Sequence, residues 1–331
     1  MPQKKRIIIT AGEPASISTE ITVKSLQNFS HRKDIEIICI TDPKLVKNYC
    51  IQSKINLPVN VLAPKNKFND YRNKFVNILP IKLNKMPTPG ILEEINCNFV
   101  EKSILKAINL LNSKLASAMV TCPINKFVMR KCGFKYNGHT EFLASLSKKK
   151  NIPIMLLHSP DLNVVPLTTH VPIKDISKYI TKKLLIEKIE VLSLELEKYF
   201  KIKNPKIYVS GLNPHSGDNG FIGKEEIDNI IPAITYLKEK GINVFGPISA
   251  DTMFEKNFRK KFDVAVCMFH DQALIPIKTL YFNKVVNITL GLDFLRTSPD
   301  HGTALDIAGL NLANPTSMMG AIKKAEQLIK N

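Results

Sequence analysis

Apolar runs rich in β-branched residues recur along the chain: RIIIT (6–10), IEIICI (35–40), VNVLA (59–63), ASAMVT (116–121), PIMLL (153–157), NVVPLTT (163–169), KIYVS (206–210), DVAVCMF (263–269) and VVNITL (285–290). Segments with helical spacing of apolar positions lie between them, at 19–29, 91–115, 182–200, 225–240 and 303–330. Short apolar strands alternating with helices predict an α/β fold with mainly parallel sheets. In the helix predicted from Lys182, residues Leu185, Ile189, Leu192, Leu196 and Tyr199 return at steps of four and three. Such a stripe is a core face and needs no ligand to explain it. The Pro and Gly of MPTPG (86–90) break the chain before a long helix, and Lys-rich SKKKNIP (147–153) predicts an exposed turn; neither marks a domain boundary.

Composition narrows the class. With 331 residues, 44% of them hydrophobic, the chain is large enough for two domains. The opening MPQKKRIIITAGEP has too few apolar residues for a signal-peptide core and no stretch approaches a membrane span, so a soluble cytoplasmic protein with no membrane partner is expected. The six cysteines (Cys39, Cys50, Cys97, Cys122, Cys132, Cys267) form no CxxC pair, and several stand inside apolar runs, which predicts buried free thiols. A net charge of +18 raises the question of nucleic acid, but only six of the 47 basic residues are arginine, and the lysines are scattered. Arginine is the usual base-reading residue, so the charge reads as attraction of an anionic small molecule rather than of nucleic acid.

Position relative to the predicted strands singles out three histidines. His170 ends NVVPLTTH, His215 follows KIYVSGLNP, and His270 ends DVAVCMFH, so each falls at or just past the end of a strand. If the strands are parallel neighbours, those ends share one edge, where open α/β sheets bind ligands. Three imidazoles and an open position describe a catalytic divalent-metal site, whereas each histidine alone reads equally as a strand-capping or locally hydrogen-bonded group. Their separations match no local metal motif. Asp251 and Asp271 fall near the same edge, as metal ligands, as carboxylates orienting a histidine, or in proton transfer; Asp251 reads equally as a helix N-cap. His215 stands in GLNPHSGDNGFIGK (211–224), whose small polar residues predict a turn from strand to helix.

A second group suits an anion: His139 and Thr140 in GHTEF, Lys278 in IPIK, Asn287 in VVNIT, and Arg296 in LRTSPDHG. Phosphate takes Lys or Arg charge together with hydroxyl, amide or backbone donors, and Thr140 near a helix start supplies part of that. No two glycines stand at G-x-G spacing, and GxxxxGK[ST] and GxSxG are absent. A Rossmann dinucleotide fingerprint, a P-loop and a nucleophile elbow are thereby excluded.

GHTEFLA (138–144), TTHVP (168–172), NPHSGDNGFIGKEE (213–226), GPISADTMF (246–254), FHDQALIPIK (269–278) and GLDFLRTSPDHGTALDIAG (291–309) together resemble the 4-hydroxythreonine-4-phosphate dehydrogenase family of pyridoxal phosphate biosynthesis. The resemblance implies a two-domain fold like that of isocitrate and isopropylmalate dehydrogenases, and a homodimer whose active site lies in a cleft between domains and is completed by the partner subunit. The expected domains are 1–127 with 285–331, and 128–284. It further implies NAD or NADP, with a divalent metal such as Zn, Co or Mg on His170, His215 and His270, and substrate contacts from His139, Thr140, Lys278, Asn287 and Arg296. The implied reaction oxidises 4-phosphooxy-L-threonine at C3 and then decarboxylates it to 3-amino-2-oxopropyl phosphate. Phosphothreonate or phosphoerythronate are alternative substrates within the family, and a non-catalytic nucleic-acid binder is the alternative from another class. Two segments depart from the family pattern. GEPASISTE (12–20) has Glu13, Ser16, Ser18 and Thr19 where GDPAGIGPE is usual, which restricts the backbone of that loop, and Ala273 replaces a glycine.

Overall fold

The computed structural model describes residues 5–29, 32, 34–63, 68–149 and 151–331. Of the Lys-rich turn expected at 147–153, residue 150 lies outside them, as do residues 1–4 of the basic opening stretch. In chain order the principal elements are β1 (Arg6–Thr10), α1 (Ser18–Phe29), β2 (Glu36–Thr41), α2 (Pro43–Gln52), β3 (Val59–Val61), β4 (Val76–Pro80), α3 (Cys97–Asn112), β5 (Ala118–Thr121), α4 (Lys126–Lys131) and α5 (His139–Leu146). There follow β6 (Ile154–His158), β7 (Asn163–Pro166), α6 (Ile176–Tyr179), α7 (Lys182–Glu195), β8 (Ile207–Ser210), α8 (Ile231–Glu239), β9 (Val244–Ile248), α9 (Ala250–Met253), β10 (Val264–Cys267), α10 (His270–Tyr281), β11 (Val286–Leu290), β12 (Leu295–Pro299) and α11 (Thr316–Lys330). No helix of the described residues is long and apolar enough to cross a membrane.

Two compact units result, residues 1–145 with 294–330, and residues 146–293 with 331. The boundaries expected at 127/128 and 284/285 therefore move to 145/146 and 293/294. Helices α4 and most of α5 stay with the first unit, while β11 belongs to the second because it pairs antiparallel with β6 along its whole length. In the first unit the strands run β3-β4-β2-β1-β5-β12, every adjacent pair parallel. Ile7, Ile8, Ile9, Ile38 and Ile40 are at most 1% exposed, as strands covered on both faces require. Helix α3 packs Phe99, Val100, Ile104 and Ile108 toward β1, β2 and β5, and each such burial stabilises by about 1.5–3 kcal/mol. Helix α11 lays Met318, Ala321, Ile322, Ala325 and Leu328 against β12 and β5.

In the second unit the order is β11-β6-β7-β10-β8-β9. The pairs β11/β6 and β6/β7 are antiparallel; β7/β10, β10/β8 and β8/β9 are parallel. Of the predicted stripe on α7 and the turn that continues it, Leu185, Ile189, Leu192 and Leu196 are buried core. Helix α10 buries Ala273, Leu274 and Ile277 and packs on β7 and β10. Ala273 is fully buried within this helix, where alanine is the most favourable residue and glycine costs about 1 kcal/mol.

Two predicted helices are shorter than their apolar spacing suggested. The segment 303–330 is helical only as a single turn at Leu305–Ile307 and as α11, because Gly309 and Asn311 take left-handed φ values of 80° and 60° and Pro315 precedes the helix. The segment 91–115 reduces to a turn at Glu94–Asn96 and α3. The cysteines also depart from expectation. Cys39, Cys50, Cys122 and Cys267 are buried free thiols, but Cys97, at the start of α3, is bonded to Cys132 just after α4.

Candidate active site

Strands β7, β10 and β8 are adjacent and parallel, so their carboxyl ends share one edge of the second unit. His170 lies four residues beyond β7, His270 opens α10 beyond β10, and His215 follows β8. The His170 and His270 rings stand 6.2 Å apart, centroid to centroid. Two imidazole nitrogens can bind one ion at about 2.0–2.1 Å each from rings so placed. His270 Nδ1 and Asp271 Oδ1 are 2.7 Å apart, a carboxylate contact of the kind that fixes the orientation of an imidazole. Asp271 thereby takes the histidine-orienting role among those open to it.

His215 is held differently. Residues His215, Ser216, Gly217, Asp218 and Asn219 all have left-handed backbone angles, with φ from 41° to 81°. Left-handed helical geometry costs about 1–2 kcal/mol for each L-residue, and His, Asn and Asp are the types that tolerate it best. The small polar residues of GLNPHSGDNGFIGK are thus the residues this turn demands. Its opposing support is Glu226, a 2%-exposed carboxylate that sequence reasoning missed. Glu226 Oε1 accepts the backbone N–H groups of Leu212 and Asn213 at 2.8 Å each, and Oε2 accepts Asn213 Nδ2 at 2.9 Å. A Cβ on Gly217 would stand 2.7 Å from Glu226 Oε2, so glycine is also required there for space.

Among the described residues no three His, Cys, Asp or Glu side chains are drawn together closely enough to hold a metal ion. The expected three-histidine cluster therefore consists of two adjacent rings, with His215 on the neighbouring strand end. Imidazole donors oriented by a carboxylate suit a divalent ion of the zinc or cobalt kind. Asp251 is not an N-cap: Ser249 holds that position on α9 and its hydroxyl donates to Asp251 Oδ1 at 2.6 Å. That hydrogen bond is the main cause lowering the Asp251 pKa, and Asp251 is an exposed carboxylate within electrostatic reach of the left-handed turn.

The anion group falls on both units. In the first, His139 opens α5 and Thr140 is its second residue. His139 Nε2 is buried with no hydrogen-bond partner among the described residues. Burial, and then the charges of Arg296 and Lys126, hold the His139 pKa well below that of a free histidine, so the ring is neutral. Arg296, on β12, is 4% exposed and donates from Nε and Nη2 to Thr121 Oγ1 at 3.0 and 2.7 Å. Burial lowers its pKa to about 10, which leaves it cationic at neutral pH. A buried guanidinium, a lysine and an unsatisfied imidazole nitrogen gathered at a helix start are the features of an anion pocket. Lys126 and Thr121 were missed because each belongs to a segment with no local signature. Lys126 reaches this position because Gly138 is small: a Cβ there would stand 3.3 Å from Lys126 Cε. In the second unit, Lys278 lies on α10 eight residues after His270, roughly 12 Å along the helix. Asn287, on β11, has a buried Oδ1 with no hydrogen-bond partner among the described residues.

The divergent GEPASISTE loop follows β1. Only Gly12 within it has positive φ, 69°, and a Cβ there would stand 2.6 Å from Cys122 Cβ. Ser16 and Ser18 occupy ordinary backbone conformations, so the loop does not need glycine at those positions. Their hydroxyls are tied inward, Ser16 Oγ to Glu13 O at 2.6 Å and Ser18 Oγ to Pro123 O at 3.3 Å. Burial raises the Glu13 pKa.

The sequence profile described as "Pyridoxal phosphate biosynthetic protein PdxA" matches residues 33–325. A 4-hydroxythreonine-4-phosphate dehydrogenase from Wigglesworthia glossinidia brevipalpis is 44% identical over 328 residues, which cover 98% of this chain and 97% of the relative. One from Methylorubrum extorquens is 38% identical over 327 residues, covering 97% and 94%. A crystal structure of the Klebsiella pneumoniae 4-hydroxythreonine-4-phosphate dehydrogenase superimposes with a TM-score of 0.87 at 30% identity, covering 98% of this chain and 99% of that one. A terephthalate 1,2-cis-dihydrodiol dehydrogenase from Burkholderia xenovorans shares the fold, with a TM-score of 0.64 at 22% identity and 98% of both chains covered. The chain therefore belongs to the PdxA family of pyridoxal phosphate biosynthetic proteins.

Proposed function

We propose that this chain is a nicotinamide-dependent 4-hydroxythreonine-4-phosphate dehydrogenase of pyridoxal phosphate biosynthesis, using NAD or NADP and acting as a homodimer. The observation that carries the reading is the buried, unpartnered His139 Nε2 within the field of the buried Arg296 guanidinium, in a chain whose relatives over nearly their full length are 4-hydroxythreonine-4-phosphate dehydrogenases. In the first unit Arg296, His139 and Thr140 bind an anionic group of the substrate, and in the second Lys278 and Asn287 offer a charge and a side-chain amide to substrate. Neutral His139 accepts or donates one hydrogen bond to the bound anion without adding charge. His170, His215 and His270 are the residues that would hold a divalent ion, which when bound lowers the pKa of the C3 hydroxyl.

The substrate gives hydride from C3 to the nicotinamide, and its C3 hydroxyl loses a proton. The resulting β-keto acid, 2-amino-3-oxo-4-phosphooxybutanoate, loses carbon dioxide as the electron pair of the breaking bond enters the adjacent ketone to form an enol. Protonation at carbon then gives 3-amino-2-oxopropyl phosphate. Asp251 is the carboxylate that would take and return protons at this edge, while Asp271 orients His270. The fixed geometry of these groups matters because hydride donor and acceptor must be held within near-attack distance.

The test is reduced-nicotinamide formation from 4-phosphooxy-L-threonine, run beside phosphothreonate and phosphoerythronate, with and without chelator. Turnover of 4-phosphooxy-L-threonine that stops on chelation and returns with Zn²⁺ or Co²⁺ is expected. Unchanged turnover after full metal removal, or in His215→Ala, would overturn the metal-dependent part; activity confined to another of the three substrates would overturn the substrate.

A further inference from the structure

The amide of Gln272 joins the two loops that carry His215 and His270. Gln272 Nε2 donates to Gly211 O at 2.8 Å, at the root of the left-handed turn. Its Oε1 accepts Ser210 Oγ at 2.8 Å, at the end of β8, and Met268 N at 2.7 Å, two residues before His270. A glutamine side chain offers two donors and one acceptor oxygen, and three of its bonds are spent on crossing from β10 and α10 to β8. No other residue type of that length makes this set: glutamate lacks the donor, methionine lacks both.

We propose that Gln272 is a positioning residue that ties together the two loops presenting His215 and His270, and so sets the affinity for a divalent ion that these histidines would hold with His170. The inference rests on the three-histidine reading of the site. Three observations support it independently of any ion. Residues 215–219 lie in left-handed conformations that the chain does not adopt unaided, so their root must be anchored. Glu226 anchors residues 212 and 213 from the helix that follows the turn, and these bonds stay within that loop and its helix. Gln272 supplies the tie between the two loops, since its single amide bonds Ser210, Gly211 and Met268 together. Groups that orient metal ligands without touching the metal change affinity by about 10–100-fold when removed.

The experiment is a Co²⁺ titration of the metal-free protein followed by visible absorption, on the wild type, His215→Ala, Gln272→Met, Gln272→Glu and Ser210→Ala, with the thermal midpoint of each recorded in the absence of metal. Gln272→Met is expected to weaken Co²⁺ binding by about 10–100-fold and to change the absorption envelope, while its metal-free midpoint stays near that of Ser210→Ala. Gln272→Glu keeps the acceptor for Ser210 and Met268 but sets a carboxylate oxygen against Gly211 O, 2.8 Å from the present amide nitrogen, where two acceptors repel, so a loss comparable to that of Gln272→Met is expected. If Gln272→Met fails to fold, Gln272→Glu decides. Wild-type affinity and spectrum in the Gln272 variants, with His215→Ala impaired, would overturn the positioning role alone. Absence of Co²⁺ binding by the wild type, or wild-type binding by His215→Ala, would remove the three-histidine reading and this inference with it.

Discussion

Glu226 is the place where the physical account of the turn is most exposed to test. Glu226→Ala removes the acceptor for the backbone N–H groups of Leu212 and Asn213, both 2.8 Å from Oε1. Asn213 Nδ2 also loses Oε2, but keeps Glu225 Oε2 at 2.8 Å, so the two backbone donors carry most of the loss. An unpaired buried donor costs about 1–3 kcal/mol, which puts Glu226→Ala at about 2–6 kcal/mol. Glu226→Gln keeps one oxygen, enough for both N–H groups, and sets its new amide against Asn213 Nδ2; a cost of about 1 kcal/mol is expected. At about 2–4 °C per kcal/mol for a domain of this size, the alanine variant melts on the order of 10 °C lower and the glutamine variant a few degrees lower. Hydrogen exchange locates the effect. The amides of Ser216, Phe221 and Ile222, bonded to Asn213 O, Asp218 O and Gly217 O, should lose protection in Glu226→Ala before the strands do. An alanine variant within 1 kcal/mol of wild type, or a glutamine variant equally damaged, would refute the claim that this carboxylate holds the turn by acceptor geometry.

Other predictions concern the first unit. The Cys97–Cys132 bond closes a loop with a sequence separation of 35, and chain-entropy arguments give about 4 kcal/mol of stabilisation for that length. Reductant or Cys132→Ser should lower the denaturant midpoint accordingly, and equal midpoints would show that the bond contributes nothing. The His139 pKa lies below its unfolded value of about 6.5, so its stabilising contribution is present above that pH. As pH falls through 6.5 the unfolded chain takes up the proton first and stability drops; His139→Gln should flatten that part of the stability profile. A His139 ring that titrates by NMR at an ordinary pKa would contradict this. Arg296→Met should reduce kcat/KM for the phosphorylated substrate by about 10²–10³, mostly in KM, as loss of a buried charge partner worth about 3–4 kcal/mol implies. An unchanged KM would place the phosphate elsewhere.

The sequence carried the parts of this molecule that repeat a local rule. Runs such as RIIIT and IEIICI are unbroken because parallel strands are buried on both faces, and the α7 stripe follows the helical period. The placement of the three histidines beyond neighbouring strand ends was legible by one further step, since the strands prove to be parallel neighbours, but among the described residues no three metal-ligating side chains come together there. What stayed hidden depends on contacts between distant segments. VNILP, VFGPI and LRTSP form β4, β9 and β12 although Pro, Gly and polar residues interrupt their pattern, because neighbouring strands supply the ladder. Cys97 and Cys132 carry no motif spacing and meet only because α3 and α4 pack at that point. Glu226 and Gln272 read as ordinary polar positions, and apart from Met268 their partners discussed above lie 13 to 62 residues away along the chain.

The two histidines on adjacent strand ends are therefore presented by opposite means. His270 opens a twelve-residue helix packed on β7 and β10, and Asp271 orients its ring, so its position follows from favourable regular structure. His215 stands in a turn that L-residues disfavour, held at its root by an amide and a carboxylate that belong to other elements. A turn of this kind lies at the low-stability end of its unit, while the strands lie at the high end. Loss of an anchor should then free His215 while leaving His270 in place. In Glu226→Ala the His215 side chain should broaden or shift by NMR with His270 unchanged, and equal perturbation of both rings would mean that the two loops move as one body.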